Sequence, residues 1–241
     1  VMTLHEENWV LCREFMQNAK EGNVAPALKE LLFASGYDPS YADEAYFGFV
    51  LGPMFNAPGR LHDDGGQIVL EYLDNPTPEG AERLYQINRE RKTLVVDQMA
   101  MVEQYIECNN LSDKYPLWIH VPGLHEGIVG ILAGHLAEKY HAPAFVVTEN
   151  EKAGCLKGSA RTDGKLNVFQ YLKENENNLI GFGGHCGAAG LRLTKEQFSS
   201  FAEKVTEHTA EGSHLVPDIE ILPSEAKECH EEMEEHRPFG E

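Results

Sequence analysis

Three glycine-marked segments and one polar tetrapeptide carry the residue types that could do chemistry. In Gly181-Phe182-Gly183-Gly184-His185-Cys186-Gly187-Ala188-Ala189-Gly190, glycine and alanine strip side chains from a strand. Backbone N–H groups and the His185 imidazole can then approach a ligand closely. The run has no Gly-Lys-Ser/Thr ending, and Cys186 stands where a dinucleotide fingerprint needs its third glycine. Tight strand packing around a satisfied histidine is the competing structural reading, and Cys186 has only His185 as a visible partner for activation. In Lys157-Gly158-Ser159-Ala160-Arg161, strand alternation puts Ser159 and Arg161 on one face, a hydroxyl beside a guanidinium, which suits a phosphate. Gly52-Pro53-Met54-Phe55-Asn56-Ala57-Pro58-Gly59-Arg60 reads as a rigid turn presenting Asn56 and Arg60. Leu124-His125-Glu126-Gly127 falls at the start of an expected helix, where unpaired N–H groups favour anions. His125 and Glu126 are adjacent and lack the i, i+4 histidine pair of a helical zinc site.

The elements that must hold these groups follow from hydrophobic spacing. Glu6 to Asn18 and Ala25 to Ala34 repeat apolar residues every three or four positions, and Gly36 stops the second run. Asp63-Asp64 is expected to cap a helix through Ile68 to Leu70. A long helix follows Asn75-Pro76-Thr77-Pro78 and ends near Asn109-Asn110. The pattern then alternates: strand 117–121, helix 126–139, strands 144–148 and 156–161, helix 168–173, a glycine-rich strand ending at Leu193, and a helix from Lys195 to about Glu207. The fold class expected is α/β, with a helical connecting region, residues 1–113, before an α/β domain, residues 114–212. An acidic exit segment, 213–241, reads as a short strand and a helix.

Composition narrows the function classes. The 241 residues are 42% hydrophobic and 24% charged, which fits an ordinary globular chain, and no apolar stretch approaches the roughly 20 residues of a membrane span. The odd count of five cysteines without a CxxC pair, and a start lacking signal-peptide texture, point to a reducing cytoplasm. The net charge of −19 disfavours phosphate-rich partners at face value. Its distribution does not, because residues 152–195 carry a net +4 while residues 211–241 carry −8. A local basic island can steer an anion over a Debye length of about 8 Å.

Taken in order, Asn-Ala-Pro-Gly-Arg at 56–60, His-Glu-Gly-Ile-Val-Gly-Ile-Leu-Ala-Gly-His at 125–135, Ala-Pro-Ala-Phe-Val-Val-Thr at 142–148, Lys-Gly-Ser-Ala-Arg at 157–161 and Gly-Gly-His-Cys-Gly-Ala-Ala-Gly-Leu at 183–191 resemble the RecJ exonucleases of the DHH phosphoesterase superfamily. The resemblance runs over essentially the whole chain. It implies that residues to about 110 are connecting helices and that 116–210 are the DHH-associated domain. It further implies that Leu4-His5-Glu6-Glu7-Asn8 leaves a catalytic DHH domain and that Arg237-Pro238-Phe239-Gly240-Glu241 enters an OB-fold, making this a central fragment.

By the same resemblance the parent protein is a 5′-to-3′ exonuclease specific for single-stranded DNA, acting in DNA repair and recombination. Its two divalent metals, Mn2+ or Mg2+, sit in the DHH domain. No metal ligand and no catalytic residue is assigned here, since the sequence has no Asp-His-His run, and the fragment alone is expected to be inert. Asn56 and Arg60 would face DNA or its terminal phosphate; His125 would join the substrate-binding set. Ser159 and Arg161 would hold a phosphate, and Gly183, Gly184 and His185 would close over the scissile nucleotide. Expected partners are single-stranded DNA and the parent's own DHH and OB-fold domains, with no membrane. Leu124 and Ala160 depart from a common tryptophan and glycine of the family. A shorter DHH-family phosphodiesterase for oligonucleotides or cyclic dinucleotides, and a non-enzymatic protein-binding module, are the alternatives.

Overall fold

A computed structural model describes residues 6–38, 43–150, 153–204, 206–207, 224 and 226–235. The chain divides into two compact units, residues 1–90 with 214–241, and residues 91–213. Among the described residues no helix is long and apolar enough to cross a membrane.

The first unit is helical. It contains α1 (Glu6–Lys20), α2 (Pro26–Ala34), α3 (Glu44–Tyr46), α4 (Gly52–Leu61), α5 (Gly65–Asp74), and the start of the long α6 (Pro78–Cys108). A π-helical stretch, Phe47–Leu51, joins α3 to α4 without a break. Leu31, Leu32, Tyr46, Met54, Ala57, Ile68, Tyr72 and Leu84 form its core. The segment from Gly52 to Arg60, expected as a turn, is therefore helix. Pro53 falls in the first turn, where its missing N–H costs nothing, and buried Met54, Ala57 and Pro58 share one face. Burying that apolar stripe outweighs the hydrogen bond that Pro58 removes inside the helix. Asp64 occupies the position before α5, yet its side chain makes no capping hydrogen bond; only its carbonyl accepts, from Gln67 and Ile68. Gly65 has a packing role, since a Cβ there would lie 2.1 Å from the Pro58 carbonyl oxygen.

The second unit begins within α6 and continues through β1 (Lys114–Tyr115), β2 (Leu117–His120), α7 (Val129–Tyr140), β3 (Ala144–Asn150) and β4 (Cys155–Arg161). It goes on with α8 (Val168–Glu174), β5 (Gly181–His185), β6 (Ala188–Leu193), α9 (Lys195–Ala202) and β7 (Thr206–Glu207). A final helix, α10 (Ala226–Glu235), belongs to the first unit. The sheet order is β2-β3-β4-β6-β5, with β2 and β3 parallel and the remaining neighbours antiparallel; β1 and β7 pair separately. The glycine-rich segment expected as one strand is the β5–β6 hairpin, because Cys186-Gly187 reverses the chain. Its tip is pinned by Val168 N–H donating to the Cys186 carbonyl and Thr162 N–H to that of Gly187.

One face of the sheet carries Trp118, Phe145, Leu156, Ala160, Ala189 and Leu191, buried with Val168 and Leu172 of α8 and Phe201 of α9. Trp118 stacks between Phe145 and Phe201, with ring centres 4.3 and 4.5 Å away. Helix α9 is held by a full capping box between Thr194 and Gln197. It ends at Ala202, short of the expected Glu207, where the chain becomes β7. The expected exit strand after Pro217, the residues up to His5 and those from 236 lie outside the described residues; the expected acidic helix is α10.

The opposite face receives α7, which buries Val129, Leu132, Ala133 and Leu136 and packs against β3 and β4. Gly183, His185, Gly190 and Arg192, on β5 and β6, remain exposed. Close packing in the covered half makes a distinction among glycines. A Cβ on Gly158 would lie 2.3 Å from the Val146 carbonyl oxygen, whereas one on Gly183 would meet nothing within 4 Å. Gly158→Ala is expected to lower stability by about 1–3 kcal/mol, as overpacking does, and Gly183→Ala to leave it within about 0.5 kcal/mol. Paired thermal melts check this, and equal melting temperatures would contradict the packing described.

Candidate phosphate and nucleic-acid interface

The exposed half-sheet is organised in rows across three strands. Lys157 pairs with Arg192 and Arg192 with Gly181; Ser159 pairs with Gly190 and Gly190 with Gly183; Arg161 pairs with Ala188 and Ala188 with His185. The middle row has no side chain beyond Ser159, so a shallow groove runs over bare main chain at Gly158, Gly183 and Gly190, with Lys157 and Arg192 in its lining.

Ser159 and Arg161 meet at the start of α7. A Cβ built on Gly130, the second residue of that helix, would lie 2.9 Å from Arg161 Nη2 and 3.1 Å from Ser159 Oγ. The guanidinium and the hydroxyl therefore occupy the space a side chain would take, beside the first-turn amides and the positive end of the helix dipole. Arg161 Nη1 also donates to the Ala160 carbonyl at 2.8 Å. A hydroxyl and a guanidinium that meet at the first turn of a helix form a donor set suited to a tetrahedral oxyanion.

Helix α7 starts at Val129, three residues after the expected Glu126, so His125 and Glu126 lie in the preceding loop. That loop is held from two sides. The buried Gln98 of α6 accepts from His125 N–H at 2.9 Å, and Thr148 Oγ1 donates to the Leu124 carbonyl at 2.9 Å. Glu126 accepts from Asn150 at 2.9 Å and pairs with Lys157 at 3.1 Å. These contacts tie the loop to the same sheet face as Ser159 and Arg161.

The two histidines share one device. Gly127 N–H donates to His125 Nδ1 at 3.1 Å, and Gly187 N–H to His185 Nδ1 at 3.2 Å. With Nδ1 accepting, the neutral imidazole carries its proton on Nε2, ready to donate outward. Gly184 has a packing reason of its own, since a Cβ there would lie 2.3 Å from the Ala188 carbonyl oxygen. Asn56 and Arg60 belong to α4 in the first unit, four residues apart and hence on one helix face. The structure thus brings Ser159 and Arg161 together, aligns Gly183 and His185 with them across the sheet, and fixes the loop of His125. Gln98, Thr148 and Asn150, which hold that loop, carried no sequence signal of their own; Gly130, in a helical run where glycine is costly, did.

Residues 115–211, within the second unit, match the DHHA1 domain family. The chain is 31% identical over 209 residues to the single-stranded-DNA-specific exonuclease RecJ of Bacillus subtilis, covering 86% of this chain and 26% of that protein. It is 29% identical over 260 aligned residues to RecJ of Escherichia coli, covering 100% of this chain and 44% of the relative. The crystal structure of RecJ in complex with Mn2+ from Thermus thermophilus superposes with a TM-score of 0.76 at 23% identity, over 100% of this chain and 36% of that one; it shares the fold. A second crystal structure of the same Thermus protein holds Mg2+. The chain spans less than half the length of these relatives.

The Glu126 contact offers a local check. The Lys157 ammonium, with the Asn150 amide, draws its carboxyl below the ordinary value of 4.5. A lowered folded-state pKa stabilises the fold above the unfolded value and stops doing so as pH falls through the folded one. The effect is small because both side chains are about half exposed. A carboxyl titration followed by NMR should give a Glu126 midpoint below 4.5 that rises in Lys157→Ala. An unchanged midpoint would mean the pair does not form in solution.

Proposed function

We propose that this chain is the substrate-binding part of a RecJ-like single-stranded-DNA-specific exonuclease, working 5′ to 3′ in DNA repair and recombination. The observation that carries the reading is the convergence of Ser159 and Arg161 on the Gly130 position of α7. In this reading the fork of Arg161 grips a DNA phosphate bidentately, which a lysine does not do. Ser159 adds a hydroxyl donor, and the α7 dipole stabilises the same charge. The bare strand at Gly183 and Gly184 admits the nucleotide to main-chain distance, and His185 donates from Nε2. His125 presents its own Nε2 from the loop that Gln98 and Thr148 fix. Asn56 and Arg60 contribute DNA contacts from α4. Together these groups position the substrate and stabilise charge; pre-organised donors of this kind supply several kcal/mol.

Residues 1–113 serve as the helical connector, 114–212 as the binding domain, and 213–241 as the acidic lead toward an OB-fold. The metal-bearing DHH domain of the parent enzyme completes the active site. Its divalent ions, Mn2+ or Mg2+, are assigned there. Among the described residues no three or more His, Cys, Asp or Glu side chains are grouped to hold a metal.

Charge-assisted hydrogen bonds are worth about 1.5–3 kcal/mol, so Arg161→Ala should weaken binding of a 5′-phosphorylated single strand by about ten- to a hundredfold. Its melting point should stay near wild type. Fluorescence anisotropy and a thermal melt on one preparation check both. Wild-type affinity in the variant would overturn the phosphate assignment, and a large loss of melting temperature would mark Arg161 as structural.

A further inference from the structure

Lys157 and Arg192 stand directly opposite each other on β4 and β6, and like charges in that position repel. Two features relieve the repulsion. Glu126 takes up Lys157 at 3.1 Å, on the side of the sheet where its loop lies. Arg192 lies down the other way, over Gly181 of the edge strand β5, where a Cβ would come within 3.3 Å of its Nη2. Lys157 is thereby spent on a carboxylate, while Arg192 is exposed and lines the groove. No ion pair involving Arg192 occurs among the described residues. The guanidinium of Arg192 and that of Arg161 point apart, the first to β5 and the second to α7. Their rows are four residues apart along the strand, about 13 Å, with the bare main chain of Gly183 and Gly190 between them.

We propose that Arg192 is a positioning residue that contacts a second phosphate of the strand, separate from the one at Ser159 and Arg161, so that the glycine floor between them is a track for one stretch of nucleotide backbone. The inference rests on the reading of the chain as a single-strand binder. A groove floored by main chain and bordered by arginines at its two ends admits a flexible polyanion, because backbone and planar cations make contact without selecting among bases. The Glu126–Lys157 pair then sets the entrance. It leaves one net cation in that row, not two, and keeps Lys157 off the floor.

The test counts phosphates. For single strands each neutralised phosphate contributes about 0.7 to the slope of log affinity against log salt. The whole chain is titrated with a 5′-phosphorylated oligothymidylate across a salt series, as wild type, Arg192→Gln, Arg161→Ala and the double variant. Glutamine removes the charge while keeping a polar side chain on the strand, and a melt confirms that each variant is folded. Arg192→Gln should lower the slope by about 0.7, Arg161→Ala by a similar amount, and the double variant by the sum. Arg192→Lys should restore the slope. If Arg192→Gln keeps the wild-type slope while Arg161→Ala loses affinity, the second contact is wrong and the first stands. A double variant no worse than Arg161→Ala would also overturn it, since both residues would then serve one phosphate. Failure of the wild-type chain to bind single strands at all would sink this inference together with the function on which it rests.

Discussion

The candidate site depends on a side chain that is missing. At the second position of α7 there is only a hydrogen, and into that space come Arg161 and Ser159 from the neighbouring strand. Any larger residue would push the guanidinium away from the helix end and separate it from the hydroxyl. Glycine in a helix costs roughly 0.8–1 kcal/mol against alanine. Here that cost maintains a contact between the positive end of α7 and a strand-borne donor set. The loop before the helix is fixed for the same reason: Gln98, Thr148 and the Glu126 contacts with Asn150 and Lys157 determine where α7 begins.

The sheet separates its aromatic core from its open, glycine-rich surface by its two faces. Trp118, Phe145 and Phe201 stack beneath it, and α8 and α9 close that side. On the other side α7 covers β3 and β4, while β6 and β5 expose glycines, His185 and Arg192. A bare strand face without a partner is ordinarily a weakness in a sheet. The hairpin tip compensates, because its two carbonyls are taken by Thr162 and by the first residue of α8. The rigid side thus holds the open side at a fixed register, which is what a contact measured in tenths of an ångström requires.

Much of this was legible in the residues. Strand alternation put Ser159 and Arg161 on one face, and periodicity located the long α6, the buried β3 and the helices on either side of the glycine-rich segment. The errors have physical causes. Gly52 to Arg60 carries two prolines and three glycine or alanine residues, a turn-like composition, but its apolar residues are spaced to bury one helical face, and tertiary burial prevailed. The segment from Gly181 to Leu193 has so few side chains that periodicity could not reveal a reversal at Cys186-Gly187. Helix α7 starts at Val129, later than the expected Glu126, because the loop before it is held by Gln98, distant in sequence. That contact, like the one between Glu126 and Lys157, is a tertiary fact that no local pattern encodes.

Gly130→Ala tests the central claim most directly, because it moves stability and binding in opposite directions. Alanine favours the helix, and the tip of Arg161 can shift to make room, so the melting temperature should hold or rise. The displaced guanidinium should weaken binding of a 5′-phosphorylated single strand by about ten- to a hundredfold. A variant that keeps wild-type affinity would contradict the account, for it would mean that the meeting of Arg161, Ser159 and α7 is packing and not a site.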